Sequence, residues 1–108
     1  MAQVTLLQGT LDLLILRTLD LGPLHGVGIA DRIRQVTGGA FTIKAGSLFP
    51  AVHRLEAEGW IASEWGTTTS GYRAKLYTLT KEGRKQLAAE KKSWARVALA
   101  IQQVLEMS

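Results

Sequence analysis

Residues 44–54 gather side chains that can donate hydrogen bonds or charge, Lys44, Ser47, His53 and Arg54, around the apolar Leu48, Phe49 and Pro50. Lysine and arginine suit phosphate oxygens. Serine, histidine and arginine suit the edges of bases, and apolar side chains suit a thymine methyl. Leu48, Val52 and Leu55 recur at helical spacing, so the stretch is predicted to be a short amphipathic helix with these donors on its wet side. Ser47 is predicted to cap its start, with Pro50 in the first turn, where a missing N–H costs little. Gly59 supplies the left-handed stop. Such a helix fits a DNA major groove, and its N-terminus with Ser47 suits a phosphate. Ser47, Phe49 and Pro50, near that end, are the candidates for base edges and thymine methyls; His53 and Arg54 follow one turn on. Lys44 is a phosphate candidate just before the helix. Arg54 has a second reading, an i,i+4 ion pair with Glu58 on a solvated face.

The charge is unevenly placed. The 108-residue chain carries a formal +4, yet residues 73–96 hold eight lysines and arginines against two glutamates. A basic block of this kind suits a polyanion, although a lysine-rich solvated helix face gives the same composition. Arg73 and Lys75 stand out because strand alternation puts both on one face, where a wing would lay them along a DNA backbone or minor groove. On that alternation Ala74 and Leu76 are predicted to face the core.

Enzyme chemistry finds little here. No nucleophile sits beside a base, and no paired carboxylates or phosphate loop appear. There are no cysteines and only two histidines, so no disulfide, metal site or cofactor is expected. His25 is read as a packed residue, with helix capping or titration as the alternative. Gly26 and Gly28 begin a glycine pattern, but Asp31 occupies the third glycine's place and no strand is predicted before it. The apolar run Leu13–Leu14–Ile15–Leu16 is too short and too closely flanked by charge to cross a bilayer. The start of the chain has neither a basic opening nor a small-residue cleavage site, so a cytoplasmic protein is expected.

The elements that must hold the clusters follow from periodicity. A first helix is predicted over 9–21, capped by Thr10, with Asp12 at its positive end and Leu11, Leu14, Ile15, Leu19 and Leu21 buried. Gly22–Pro23 ends it. A second helix spans 26–37, with Val27, Ile29, Ala30, Ile33 and Val36 apolar and Gly38–Gly39 as the stop. Phe41–Ile43 is extended, and the third helix follows. Two β-runs, 60–65 and 73–79, flank a polar loop bounded by Gly66 and Gly71, the mark of a hairpin. Trp60 and Trp65 are read as core and wing-base residues, since a strand pair packing on helices needs large apolar side chains, with stacking on nucleic-acid bases as the alternative. Thr80 caps a fourth helix over about 81–106. Its apolar side, Leu87, Trp94, Val97, Ala98, Ile101, Val104 and Leu105, contains seven-residue separations. That is more helix than a small core covers, so its far half is expected to bury itself against a second copy.

Helix, helix, helix, hairpin, long helix is the order of a winged helix-turn-helix. The expected fold is mainly α with a small β-hairpin: a DNA-binding unit over 1–79 and a dimerisation helix over 80–108, forming one body. The ordered pieces Gly9-Thr-Leu-Asp-Leu-Leu-Ile-Leu, Gly22-Pro-Leu-His-Gly-Val-Gly-Ile, Gly46-Ser-Leu-Phe-Pro-Ala-Val-His-Arg-Leu-Glu, Gly59-Trp-Ile, Arg73-Ala-Lys-Leu-Tyr-Thr-Leu-Thr and Gly83-Arg-Lys-Gln-Leu carry more than this order. The chain resembles the PadR-like transcriptional regulators, in the short form with one C-terminal helix, over nearly its whole length. Two departures are visible. Tyrosine is usual in the family where Val27 and Phe49 stand, and at Phe49 this removes a hydroxyl near the DNA face. The tip from Thr67 to Tyr72 is also less charged and less asparagine-rich than the family norm.

The resemblance implies a homodimeric repressor that binds an inverted repeat in double-stranded DNA near a promoter. It also implies release by a signal, often a small hydrophobic effector. In some relatives a tryptophan on the long helix lines a pocket at the dimer interface. Trp94 matches it and is either such a residue or a plain interface anchor. The competing readings are a winged-helix protein–protein module, which needs no cationic wing, and an RNA-binding winged helix.

Overall fold

Leucine and isoleucine at helical spacing build the first layer. The computed structural model describes residues 8–108, with side chains from Gly9 onward. The opening residues that carry the expectation of no leader lie outside them. Helix α1 (Gln8–Asp20) buries Leu11, Ile15, Leu16 and Leu19. It is already helical at Gln8, so Thr10 lies inside it and is not its cap. Leu21, expected in the core, is 70% exposed just past the helix end.

Strand β1 (Leu24–His25) leads directly into α2 (Gly26–Val36), which buries Ile29 and Ile33 and leaves Val27 and Val36 exposed. Sequence periodicity predicts no strand there. Two residues are too few for a pattern, and the pairing that creates the strand is non-local: Leu24 with Tyr77 and His25 with Leu76. The glycines that follow serve packing. A Cβ on Gly26 would lie 2.5 Å from the Phe49 ring, and one on Gly28 would lie 3.1 Å from the His25 ring.

Helix α3 (Ala45–Ala57) buries Leu48, Ala51, Val52 and Leu55 against α1 and α2. Phe41 and Ile43, just before it, pack on the same core without joining a strand. Strands β2 (Ile61–Thr67) and β3 (Arg73–Leu79) form the hairpin, in a sheet of order β1-β3-β2. The buried residues of β3 are Tyr77 and Leu79, whereas Ala74 and Leu76 are half-buried, which corrects the predicted facing. The alternation holds along the whole strand, but only its base reaches the core. Arg73 and Lys75 share a face with Tyr77 and Leu79 and leave the core as the hairpin projects.

Glycine stops are seen where φ turns positive, at +147° for Gly22, +59° for Gly38, +86° for Gly39 and +80° for Gly59. Helix α4 (Lys81–Leu105) begins as expected on Thr80, whose hydroxyl accepts from the Gly83 N–H at 3.0 Å. The same hydroxyl donates to the Gly59 carbonyl at 2.7 Å, and the Thr80 N–H donates to the Trp60 carbonyl at 3.1 Å. Gly83 lets α4 come this close, since a Cβ there would lie 1.9 Å from the Trp60 carbonyl oxygen. A helix of 25 residues is about 37 Å long, and Gly83 and Leu87 are its only buried residues.

The fold is thus a mainly helical winged helix-turn-helix with a long C-terminal helix.

Candidate nucleic-acid interface

The start of α3 differs from the expected one. Lys44, not Ser47, is the residue before the first helical turn. Its carbonyl accepts from the N–H groups of Ser47 and Leu48, both at 2.9 Å, and no side chain caps the helix. Ser47 is therefore the third helical residue and Pro50 the sixth. Pro50 has no N–H to give to the Gly46 carbonyl one turn back. Both residues are exposed, so that carbonyl lacks its helical donor on the open side of the helix.

That open side is a continuous stripe. Gly46, Ser47, Pro50, His53 and Ala57 are all exposed at helical spacing, with Lys44 exposed at its head. Unpaired N–H groups of the first turn add positive character at the same end.

Two of the predicted contacts lie elsewhere. Leu48 is 1% exposed and belongs to the core, as its place in the apolar stripe with Val52 and Leu55 requires. Arg54 turns inward to α1. Its Nη1 donates to Asp12 Oδ2 at 2.9 Å and its Nη2 to Asp12 Oδ1 at 2.8 Å, a two-pronged ion pair. The expected partner, Glu58, is not used, and Asp12 serves this pair rather than the start of α1. Phe49 is half-buried over Gly26, with its ring centroid 6.3 Å from that of His53.

The hairpin stands beside this helix and is tied to it. Ser63 donates to Glu56 on α3. Tyr77, on the same sheet face by its pairing with Ser63, is held above the ordinary phenol pKa by burial and then by the negative charge of Glu56. Above the tie a groove of about 280 Å³ opens between helix and hairpin, lined by His25, Val27, Phe49, His53, Ala74 and Lys75 among others. The cation on β3 thus faces the histidine on α3 across one concavity.

Farther out, Arg73 is exposed and its guanidinium carbon lies 5.3 Å from the ring centroid of Trp65. The hairpin tip is closed by Thr68, whose N–H donates to the Tyr72 carbonyl at 2.7 Å and whose hydroxyl accepts from the Tyr72 N–H at 3.1 Å.

Sequence periodicity favours packed positions for three residues that lie on this surface. Trp65, placed by periodicity at the wing base, is 61% exposed; Tyr72 and Val27 are 73% and 55% exposed. The signal available for Trp65 was its neighbour Gly66 at the edge of a polar loop, a mark of a strand leaving the body.

On α4, Trp94, Val97, Ile101, Val104 and Leu105 are each more than half exposed, and Ala98 is half-buried. An apolar stripe this long, open to water, is unusual for a surface with no partner. Among the described residues no cluster of metal-binding side chains occurs, and no helix is long and apolar enough to cross a membrane.

Known proteins share both the order and the shape. Residues 15–89 match the model of the transcriptional regulator PadR-like family. An uncharacterized protein from Lysinibacillus sphaericus is 30% identical over 106 residues, covering 98% of this chain and 97% of that protein. Among solved structures, a transcriptional regulator from Clostridium thermocellum is 32% identical, with a TM-score of 0.81 over 89% of this chain and 93% of its own. A PadR family transcriptional regulator from Eggerthella lenta is 30% identical, with a TM-score of 0.80 over 94% and 86%. The family match covers most of the chain and agrees with the fold built above, so the chain belongs to the PadR-like family of transcriptional regulators.

Proposed function

We propose that this regulator is a homodimeric repressor that binds an inverted repeat in double-stranded DNA near a promoter and lets go on a small-molecule signal. The observation that carries the DNA contact is the single concave surface made by the open side of α3 and the cationic side of the hairpin, with His53 and Lys75 lining one groove. In this reading α3 enters the major groove. Ser47, Pro50, His53 and the outer edge of Phe49 meet base edges or thymine methyls, and Lys44 and the helix N-terminus hold a phosphate. Arg73 and Lys75 lie on the neighbouring backbone or minor groove.

Residues 1–79 form the DNA-binding unit and 80–108 the dimerisation helix. The exposed stripe Trp94, Val97, Ala98, Ile101, Val104 and Leu105 supports a second copy as the partner of α4. A two-fold dimer then presents two recognition helices, which suits an inverted repeat. The same stripe, with an indole at Trp94, suits a small hydrophobic effector held between the two copies. The protein acts in the cytoplasm, where its promoter is. A protein–protein module has no use for a cationic hairpin beside an open helix stripe.

The test is a gel-shift titration with a duplex from upstream of the protein's own gene, at about 0.15 M salt, with scrambled duplex as the control. Discrete, tighter binding to the native duplex is the expected result. Absence of binding to either duplex, even at low salt, overturns the reading.

A further inference from the structure

The exposed aromatic pair on the hairpin is explained neither by the core nor by charge. Trp65 is 61% exposed and Tyr72 73% exposed, on a projecting element where large apolar side chains serve no packing need.

Register shows which way Trp65 faces. It pairs across the strands with Lys75, and Thr67 pairs with Arg73, so these four side chains leave the sheet on one face. The same face carries Ser63 with Tyr77 and Ile61 with Leu79 nearer the base. At the base it packs on the body: Tyr77 is 3% exposed and Ser63 is bonded to Glu56 of α3. Past the end of the core that face continues in the open as Lys75, Trp65, Thr67 and Arg73. Lys75 already borders the groove beside His53. The opposite face of the hairpin is filled at this level, since Leu76 lies where a Cβ on Gly66 would fall, 2.4 Å from its Cδ1. The indole is therefore mounted on a stiff strand pair and turned to the same side as the open stripe of α3.

The guanidinium of Arg73 sits 5.3 Å from the Trp65 ring centroid, inside the range of cation–π attraction. A free arginine on a hairpin samples many rotamers. Over the indole it is confined while its N–H groups stay available at the edges. Arginine stacked on an aromatic face keeps its charge and its fork of donors, the geometry a phosphate accepts.

We propose that Trp65 is a positioning residue of the DNA surface: its indole holds Arg73 in the orientation that grips a backbone phosphate. This rests on the DNA-binding reading above and adds a residue that charge alone does not reveal.

The test uses the full chain and a labelled random-sequence duplex of about 30 base pairs, because a phosphate contact is independent of sequence. Binding is titrated from about 50 to 200 mM salt for the parent, Trp65→Ala, Trp65→Phe, Arg73→Ala and the Trp65→Ala/Arg73→Ala pair. Arg73→Ala is expected to weaken binding by about tenfold at the lowest salt and to flatten the salt slope by about one unit. Trp65→Ala is expected to weaken binding by about threefold to tenfold, and the double variant to bind no worse than Arg73→Ala alone. Trp65→Phe keeps an aromatic face and is expected to keep most of the affinity and the parent slope. A merely structural role would not make the Trp65 effect vanish in the Arg73→Ala background. Parent-like binding by Trp65→Ala, or losses that multiply in the double variant, overturn the inference while leaving DNA binding intact. A parent protein that binds no duplex at about 50 mM salt overturns the reading beneath it.

Discussion

Replacing Arg54 with methionine separates a structural arginine from a DNA-contacting one. Arg54 grips both carboxylate oxygens of Asp12, at 2.8 and 2.9 Å. The two partners differ in access to water: the Asp12 side chain is 12% exposed and the Arg54 side chain 33%. That difference sets the magnitudes. Removing the guanidinium strands a carboxylate with little water. Breaking a buried pair from one side costs about 3–5 kcal/mol, and partial exposure brings this case to about 3 kcal/mol. Removing the carboxylate instead, as Asp12→Ala, leaves a guanidinium that can turn to solvent, at a cost of about 1.5 kcal/mol for the lost charged hydrogen bonds.

In a domain of this size each kcal/mol moves the melting temperature by about 4–8 °C. Arg54→Met is thus expected to melt at least about 12 °C lower, and Asp12→Ala about half as far. The Arg54→Met/Asp12→Ala pair should recover part of the loss, since neither charge is then stranded. Thermal unfolding at one fixed protein concentration reads all three, because association also raises apparent stability. The salt dependence of duplex binding should be the same for parent and Arg54→Met below their melting temperatures. Parent-like stability together with a salt slope flattened by about one unit would refute the assignment and return Arg54 to the phosphate contacts.

Three further outcomes follow from the same contacts. Gly83→Ala, which in an open helix gains about 1 kcal/mol, is expected to lose about 2 kcal/mol or more in urea unfolding, because the added Cβ falls 1.9 Å from the Trp60 carbonyl oxygen; any gain would refute that closeness. Ile101→Glu, in the exposed stripe of α4, is expected to turn the proposed dimer into a monomer by light scattering at micromolar concentration, and an unchanged mass would deny the stripe its role. The raised phenol pKa of Tyr77 favours its neutral form in the folded chain, so the stability it contributes is whole below about pH 10 and is lost as pH rises through the folded value. Tyr77→Phe should therefore lose less stability than the parent in urea midpoints measured upward from about pH 9, and parallel curves would remove Tyr77 as the cause.

The elements themselves were legible because their signals are local. Glycines at 22, 38, 39 and 59 do stop helices, Thr80 does cap α4, and the polar loop does join two strands. What escaped the sequence depends on distance or on where the core ends. Arg54 finds Asp12 across 42 residues, and no i,i+4 rule reaches that far. Strand β1 exists through its partners on β3. Ser47 has the chemistry of a cap, but the first turn closes on the Lys44 carbonyl, a main-chain event that any residue can supply. Trp65 follows the strand alternation faithfully and is still exposed, since alternation gives the side of a sheet and not whether anything covers it. Composition marks the charged and polar candidates for the site, while the burial of Leu48 and the inward turn of Arg54 are set by packing.

These long-range contacts bear on how the surface is held. Glu56 with Ser63 ties α3 to β2, Arg54 with Asp12 ties α3 to α1, and Thr80 with Gly59 and Trp60 ties the start of α4 to the corner between α3 and the hairpin. Helix α3 is therefore fixed to the hairpin, to α1 and to the root of α4 by separate bonds, beyond the apolar packing beneath it. A body braced in this way resists change in the distance between helix and wing. Its least supported part is α4 beyond Leu87, where no residue is buried. In the proposed dimer that segment sets the angle and spacing of the two recognition helices, so an effector bound near Trp94 acts with the most leverage on the half-site spacing. An inducer working this way would lower affinity for an inverted repeat but leave the affinity for a single half-site unchanged, and equal weakening on both duplexes would place the signal inside the braced unit instead.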